Sequence, residues 1–236
     1  MANREPRARA HHTIPALAAI ALLVAMLAGA TACGSSTSSQ STSSSASENG
    51  ILGIQRDNPL DVSAVTLPDV TVGAPDKPFT MKADPGKVLF VYFGYTHCPD
   101  LCPTTLADLR KAMAQLGPTA AAQVQVAFVT VDPQRDTAEI LNPYLASFVT
   151  GAHALRTVDP AQLRAAEDAF LASSTVTTKS DGTVEVSHTA TSYLVDNNGR
   201  VVVEIPFGTT PDAMANDLAH VLAGQTTSSL YTPTNP

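Results

Sequence analysis

Cysteine is almost absent from this chain of 236 residues: Cys33, Cys98 and Cys102 are the whole complement. Three thiols cannot build the disulfide framework that staples a small exported domain. A bridge between Cys98 and Cys102 would close a very short loop, which gives little stability. The close pair is therefore there for chemistry. Basic charge is scarce as well, with 14 Lys and Arg against 21 Asp and Glu, a net charge of −7. The first 32 residues hold three Arg and one Glu, so the remainder carries −9. That balance speaks against nucleic acid as a partner and leaves no basic surface for anionic lipid headgroups. Tryptophan is missing altogether and no internal repeat is present. Past the N-terminus, no apolar run approaches the roughly 18 residues needed to span a bilayer.

The N-terminus is where long apolar sequence does occur. Arg4, Arg7 and Arg9 precede an apolar stretch over residues 14–30, which runs into Gly29-Ala-Thr-Ala-Cys33. A basic region, an apolar region and a small-residue end are the layout of a secretory signal. The cysteine closing the small-residue run resembles a lipobox. Residues 1–32 are thus read as a lipoprotein signal peptide and Cys33 as the lipidated first residue. Ala30 stands where that pattern prefers Leu; ordinary cleavage near Ala32 and an uncleaved anchor are the competing readings. Residues 33–50, rich in Ser and Thr with nothing to bury, read as a flexible tether. One globular domain of ordinary size follows at 51–225, and 226–236 form a polar tail. The expected location is outside the cell, on the outer face of the cytoplasmic membrane, held by the lipid.

Within the domain, periodicity gives an element order. Residues 65–72 and 78–81 predict short antiparallel strands, with Gly73 and Pro75-Asp76 as turn residues. The apolar runs 88–93 and 124–131 predict buried strands. Leu106, Leu109, Met113 and Leu116 recur at helical spacing, predicting a helix over 104–116 with Pro103 at its first position. Further helices are expected at 137–148, with Thr137 as cap and Pro143 as a kink, and from Asp159-Pro160 to about 171, with Asp159 as cap. A short strand at 155–158 lies between them. Strands at 185–196 and 201–206 flank Asn197-Asn-Gly199, a strong hairpin signal, and a helix over 211–222 closes the domain. This order predicts an α/β fold: a thioredoxin-like three-layer α/β/α sandwich with an N-terminal β-hairpin.

The chemistry gathers where the run at 88–93 breaks at Gly94 and delivers Tyr-Thr-His-Cys98-Pro-Asp-Leu-Cys102. Open α/β sheets place their sites at the carboxyl ends of such strands. With Pro103 opening the helix, Cys102 is expected at its cap, where the helix terminus favours a thiolate. Two such thiols can bind a soft metal ion, exchange electrons as a redox-active pair, or both; linear Cu(I) coordination needs no more than the two. A third ligand would come from elsewhere, and His188 is the candidate, because strand alternation stalls around it. By spacing alone a structural histidine is the commoner outcome. His97, His153 and His220 read as solvent-facing or ordinary structural residues. Asp100, between the cysteines, is either a helix-start acid or a residue just behind the ligands that moderates their charge. Val131-Asp-Pro-Gln-Arg-Asp136-Thr137 reads as a tight turn with a cap; in a sharper reading Asp132 and Arg135 order the cysteine loop.

Three ordered motifs, residues 92–106, 131–137 and Ser187-His188 before Tyr193-Leu-Val-Asp-Asn-Asn-Gly199, together resemble the Sco/SenC family over about residues 60–224. The absence of Trp and the unplaced segment 51–60 are the departures. The resemblance implies a copper-binding thioredoxin fold serving assembly of the CuA centre of cytochrome c oxidase. It implies Cys98, Cys102 and His188 as copper ligands, Asp100 beside them, and Cu(I), Cu(II) or both as the bound ion. The implied partners are the CuA subunit of the oxidase and an upstream copper donor or thiol reductant. Two functions follow from it: a metallochaperone, and a thiol–disulfide oxidoreductase that reduces client cysteines. His188 favours the first. So does the absence of Pro from 161 to 205, since thioredoxin-type reductases place a cis-Pro opposite their cysteines. Structural zinc is disfavoured because three ligands leave its tetrahedral shell incomplete.

Overall fold

The computed structural model describes residues 50–74 and 78–230, with side chains up to residue 224. The signal peptide, Cys33, the tether up to residue 49, the turn at Pro75-Asp76 and the tail from 231 lie outside the described residues.

Seven consecutive apolar or glycine residues make β3 (Val88–Gly94), and all seven are buried. A strand with no polar face must be covered on both sides. It runs parallel to β4 (Val124–Thr130), which is parallel in turn to β5 (His153–Leu155). On its other side lie the antiparallel β8 (Ser192–Val195) and then β9 (Val201–Ile205), giving a mixed sheet of order β5-β4-β3-β8-β9. Four helices complete the domain: α1 (Leu101–Ala121), α2 (Ala138–Ala146), α3 (Pro160–Ala169) and α4 (Pro211–Leu230).

Alternation along β3 sorts these helices into layers. Tyr92 and Phe128 are register partners with ring centroids 6.1 Å apart, and Phe128 also meets Tyr144 of α2 at 6.1 Å. Gly94, two residues on, faces Cys102 of α1, which packs on α4. Phe93 points the other way, to Phe170 just after α3 (5.4 Å) and to Tyr193 (6.4 Å). The expected three-layer sandwich is thus present, with α1, α2 and α4 on one face and α3 on the other. Truncating a ring such as Phe128 to Ala would cost about 3–5 kcal/mol.

The segment 51–60, which matched no pattern, guards a sheet edge. Ile54 exchanges backbone hydrogen bonds with Glu204 of β9 (2.9 and 2.8 Å). The buried carboxylate of Asp217 accepts from the Leu52 and Gly53 N–H groups at 2.7 and 2.8 Å. Further along, Val70 donates to Ala154 (2.8 Å) and Arg156 to Pro68 (3.0 Å), covering the edge at β5. Both edges of the sheet are therefore paired rather than left as templates for aggregation.

Several boundaries differ from expectation: the short strand expected at 155–158 is β5, two residues earlier, and the last helix runs on to Leu230. The N-terminal hairpin is reduced to β1 (Thr66–Leu67) and β2 (Phe79–Thr80). Helix α1 begins three residues early, so Pro103 takes its third position, where the N–H would still lack an intrahelical partner. It also runs past a break at Gly117 (φ +75°). The strand expected over 185–196 is two: β7 (Val184–His188) leaves to pair with β6 (Ser174–Thr178) in a separate ribbon, and β8 returns to the main sheet. The hairpin at Asn197-Asn-Gly199 is as expected, with the Asp196 carboxylate accepting from the Asn198 and Arg200 N–H groups. Among the described residues, no helix is long and apolar enough to cross a membrane.

Candidate metal centre

Strand β3 ends at a glycine because nothing larger fits there. A Cβ on Gly94 would stand 2.9 Å from the Phe128 ring and 3.0 Å from the Cys102 sulfur. Beyond it the chain turns through residues 95–100, and a buried acid holds that turn. Asp136 accepts from the Thr96 N–H (3.0 Å), the Thr96 hydroxyl (2.5 Å) and the Thr130 hydroxyl (2.7 Å). The loop bearing Cys98 is thereby tied to the end of β4. Residues 131–137 do order the cysteine loop, then, but through Asp136. Asp132 is buried and pairs with Arg135 at the side of the loop.

Cys102 lies inside the first turn of α1, fully buried, instead of at the cap. Its N–H, one of the four left free at a helix start, donates to the Cys98 sulfur at 3.3 Å. This corrects the expectation that the helix terminus makes Cys102 a thiolate. Burial removes the solvent a thiolate needs, and with Cys98 alongside, the Cys102 thiol is pushed up to about 12. The helix terminus directs a donor at Cys98 instead, which sits at 9 % exposure at the mouth.

His188 ends β7. Its Nδ1 faces the Thr189 carbonyl at 2.9 Å, which fixes that nitrogen as the donor. The lone pair is left on Nε2, 3.5 Å from the Cys102 sulfur. Burial lowers the proton affinity of the ring, which the edges of Tyr92 (6.0 Å) and Tyr95 (5.7 Å) flank. The two sulfurs and this nitrogen lie within 4.8 Å of one another. Among the described residues they form the single such group of His, Cys, Asp or Glu donors.

Other sequence candidates lie elsewhere. Asp100 occupies the N-cap position, exposed, and accepts from the Thr104 hydroxyl at 3.4 Å, but its carboxylate makes no cap bond to the helix backbone. His97 faces solvent near Asp136. His153 pairs with Asp69 at 2.7 Å and His220 with the Asn216 carbonyl at 2.8 Å. Two residues escaped sequence reasoning. Asp136 stood second to Asp132 in its motif. Tyr92, whose hydroxyl donates to the Cys102 sulfur at 3.7 Å, read simply as core. Its place two residues before Gly94, on the same face of the strand, was the available signal.

Two thiols and an imidazole suit a soft or borderline first-row ion. Metal–sulfur bonds of about 2.3 Å bridge donors up to about 4.6 Å apart, so a small closure would complete a three-coordinate site. Both thiols are free. The same pair can close to a disulfide if the sulfurs approach to about 2.05 Å.

Residues 70–223 match the family model described as SCO1/SenC. Protein SCO2, mitochondrial, of Saccharomyces cerevisiae is 40% identical over 72 residues, which cover 30% of this chain and 24% of that one. The structure of Bradyrhizobium japonicum ScoI with copper bound is 33% identical, covers 70% of this chain and 98% of that chain, and superposes with a TM-score of 0.56. A SCO1/SenC family lipoprotein from Bacillus anthracis is 25% identical, with 70% and 98% covered and a TM-score of 0.51. The chain spans less than two thirds of the length of the curated relatives it matches first.

Proposed function

Because this chain belongs to the SCO1/SenC family, we propose that it is a membrane-tethered, extracytoplasmic metallochaperone. It holds one copper ion on Cys98, Cys102 and His188 and passes it to the CuA site of cytochrome c oxidase. The observation that carries this reading is the cluster of two thiols and one imidazole nitrogen within 4.8 Å. Copper as cargo is supported by the donor set, which is soft enough for Cu(I) and includes the imidazole that Cu(II) favours. The copper-bound Bradyrhizobium relative supports it too. The client follows from the family, whose members serve assembly of the oxidase. The lipid anchor at Cys33 is supported by the signal layout at residues 1–33 and by the Bacillus anthracis lipoprotein.

Loading displaces the two thiol protons, while the imidazole has its Nε2 lone pair ready because Nδ1 is the donor to Thr189. Delivery is a ligand exchange. Client thiolates or imidazoles would first replace Cys98, the less enclosed of the two thiols, and then His188 and Cys102. The proton each released sulfur takes up leaves the pair as free thiols.

The second reading is reduction of client disulfides, and the pair of free thiols, with Cys98 slightly less enclosed than Cys102, is the observation that favours it. Cys98 thiolate would attack a client disulfide, releasing one client thiol. Cys102 would then attack Cys98, closing the intramolecular disulfide and releasing the second client thiol.

Titration of the reduced protein with Cu(I) and Cu(II), beside His188→Ala, separates the two. One copper per chain, with a thiolate-to-Cu(II) absorption band that His188→Ala disturbs, is the metallochaperone result. No copper binding but a readily cycled Cys98–Cys102 disulfide moves the function to a tethered reductase, for which His188 is dispensable.

A further inference from the structure

Tyr92 is fully buried, with no exposed surface, yet its hydroxyl is not spent on the backbone. It is directed at the Cys102 sulfur, 3.7 Å away, while its ring lies edge-on to His188 at 6.0 Å. Phe128 on the neighbouring strand packs against the ring at 6.1 Å and fixes its tilt. Gly94 leaves the sulfur room to stand beside that strand. A phenylalanine would fill the same space, so packing alone does not account for the hydroxyl. A buried hydroxyl is retained where it has partners, and here they are the Cys102 sulfur and the Thr105 side chain on the same helix.

We propose that Tyr92 is a positioning residue for Cys102, a permanent hydrogen-bond donor that stabilises the reduced, electron-rich sulfur and sets the reduction potential of the Cys98–Cys102 pair. A phenol donates more strongly to a thiol or thiolate than to a disulfide sulfur, whose lone pairs are poorer acceptors. The bond therefore favours the dithiol, the form in which the pair can take a metal ion. The residue acts through Cys102 and touches no client. The role rests on the reading of Cys98 and Cys102 as a working pair, but not on the identity of the metal.

The test equilibrates the metal-free chain, carrying Cys33→Ser, with a glutathione redox buffer. In that exchange one glutathione disulfide is reduced to two glutathione thiols as the Cys98–Cys102 bond forms, so electrons and protons balance. Tyr92→Phe should favour the disulfide by roughly tenfold, which for a two-electron couple is about 30 mV toward a more negative potential. Tyr193→Phe, a buried tyrosine on the opposite face of the sheet against Phe93 and Phe170, is the control and should not shift it. Circular dichroism verifies that both variants are folded. Added Cu(II) supplies a second readout: without the donor the sulfur is easier to oxidise, so the thiolate-to-copper band should move to longer wavelength. A folded Tyr92→Phe with the wild-type potential overturns the proposal, as does an equal shift in Tyr193→Phe. Should the wild type bind no copper, the proposed function fails while the potential still decides the role of Tyr92.

Discussion

Replacing Asp136 by Ala removes a fully buried carboxylate that accepts three hydrogen bonds, two from Thr96 and one from Thr130. Hydrogen bonds to a charged group contribute about 1.5–3 kcal/mol each, less the cost of keeping the charge out of water. After truncation the two hydroxyls can rotate to new partners, but the Thr96 N–H cannot, and an unsatisfied buried donor costs about 1–3 kcal/mol. The net loss should be about 3–4 kcal/mol, roughly 10 °C in Tm for a domain of this size. Asp136→Asn separates geometry from charge. Its carbonyl can sit where the Thr96 N–H and the Thr130 hydroxyl converge, and its amide can donate to the Thr96 hydroxyl once that hydroxyl turns. The Asn variant should lose only about 1 kcal/mol. Urea denaturation of the metal-free protein measures both. Because Thr96 lies two residues before Cys98, the Ala variant should also bind copper at least about tenfold more weakly, a change of about 1.4 kcal/mol. Equal losses in Ala and Asn would mean that charge, not hydrogen-bond geometry, holds the loop. Wild-type copper affinity in a folded Ala variant would refute the link between Asp136 and Cys98.

Gly94→Ala should lose about 1–3 kcal/mol through overpacking, because its Cβ would press on Phe128 and Cys102; a denaturation midpoint matching wild type would contradict the crowding. Raising the pH should weaken the metal-free fold. Burial pushes Cys102 and Tyr193 up to about 12, from ordinary values of 9.0 and 10.0, so from pH 9 the unfolded chain sheds protons that the folded one keeps. That stability is intact below pH 9 and lost as pH approaches 12; a urea midpoint unchanged from pH 8.5 to 11 would sink the argument. Cys33→Ala should release the protein from membranes into the soluble fraction, and undiminished membrane retention would point to an uncleaved apolar anchor.

The frame of the domain was legible because its signals are local and strong. Residues 88–94 are an unbroken run of apolar residues and glycine, 124–130 are interrupted only by Gln125 and the final Thr130, and Asp159 caps α3 by accepting from Ala161 at 2.9 Å, as its sequence predicts. The ribbon of β6 and β7 was not. Ser174–Thr178 is polar and largely exposed, so it carries no buried alternating face to read. The start of α1 was misplaced because proline is tolerated anywhere in the first turn, while Asp100, three residues earlier, held the N-cap position. At the site, spacing named the two cysteines, but His188 rested on resemblance, since its nearness to Cys102 comes from a pairing 86 residues away in sequence. Asp136 was missed because its role is a contact between loops, with Thr96, and Tyr92 because strand periodicity reports that its face is buried but not that its hydroxyl meets Cys102 on α1.

Spacing also treats Cys98 and Cys102 as equivalent, and the fold makes them unlike. Cys102 is enclosed by Tyr92, Gly94 and His188, in the first turn of a helix that packs along the core. Cys98 lies on a loop at the mouth, held through Asp136, and its sulfur receives a helix N–H. His188 arrives on a ribbon whose two strands, among the described residues, pair only with each other, outside the main sheet. The three donors thus belong to three parts of the fold with different local stability, and the parts with fewer buried contacts open at lower cost. A site meant to keep its ion would gain from placing all three donors on the rigid sheet and helix. Placing one there and two on a loop and a ribbon would anchor an ion by one ligand while the others exchange, which is what the proposed carrier role requires and a structural metal site does not.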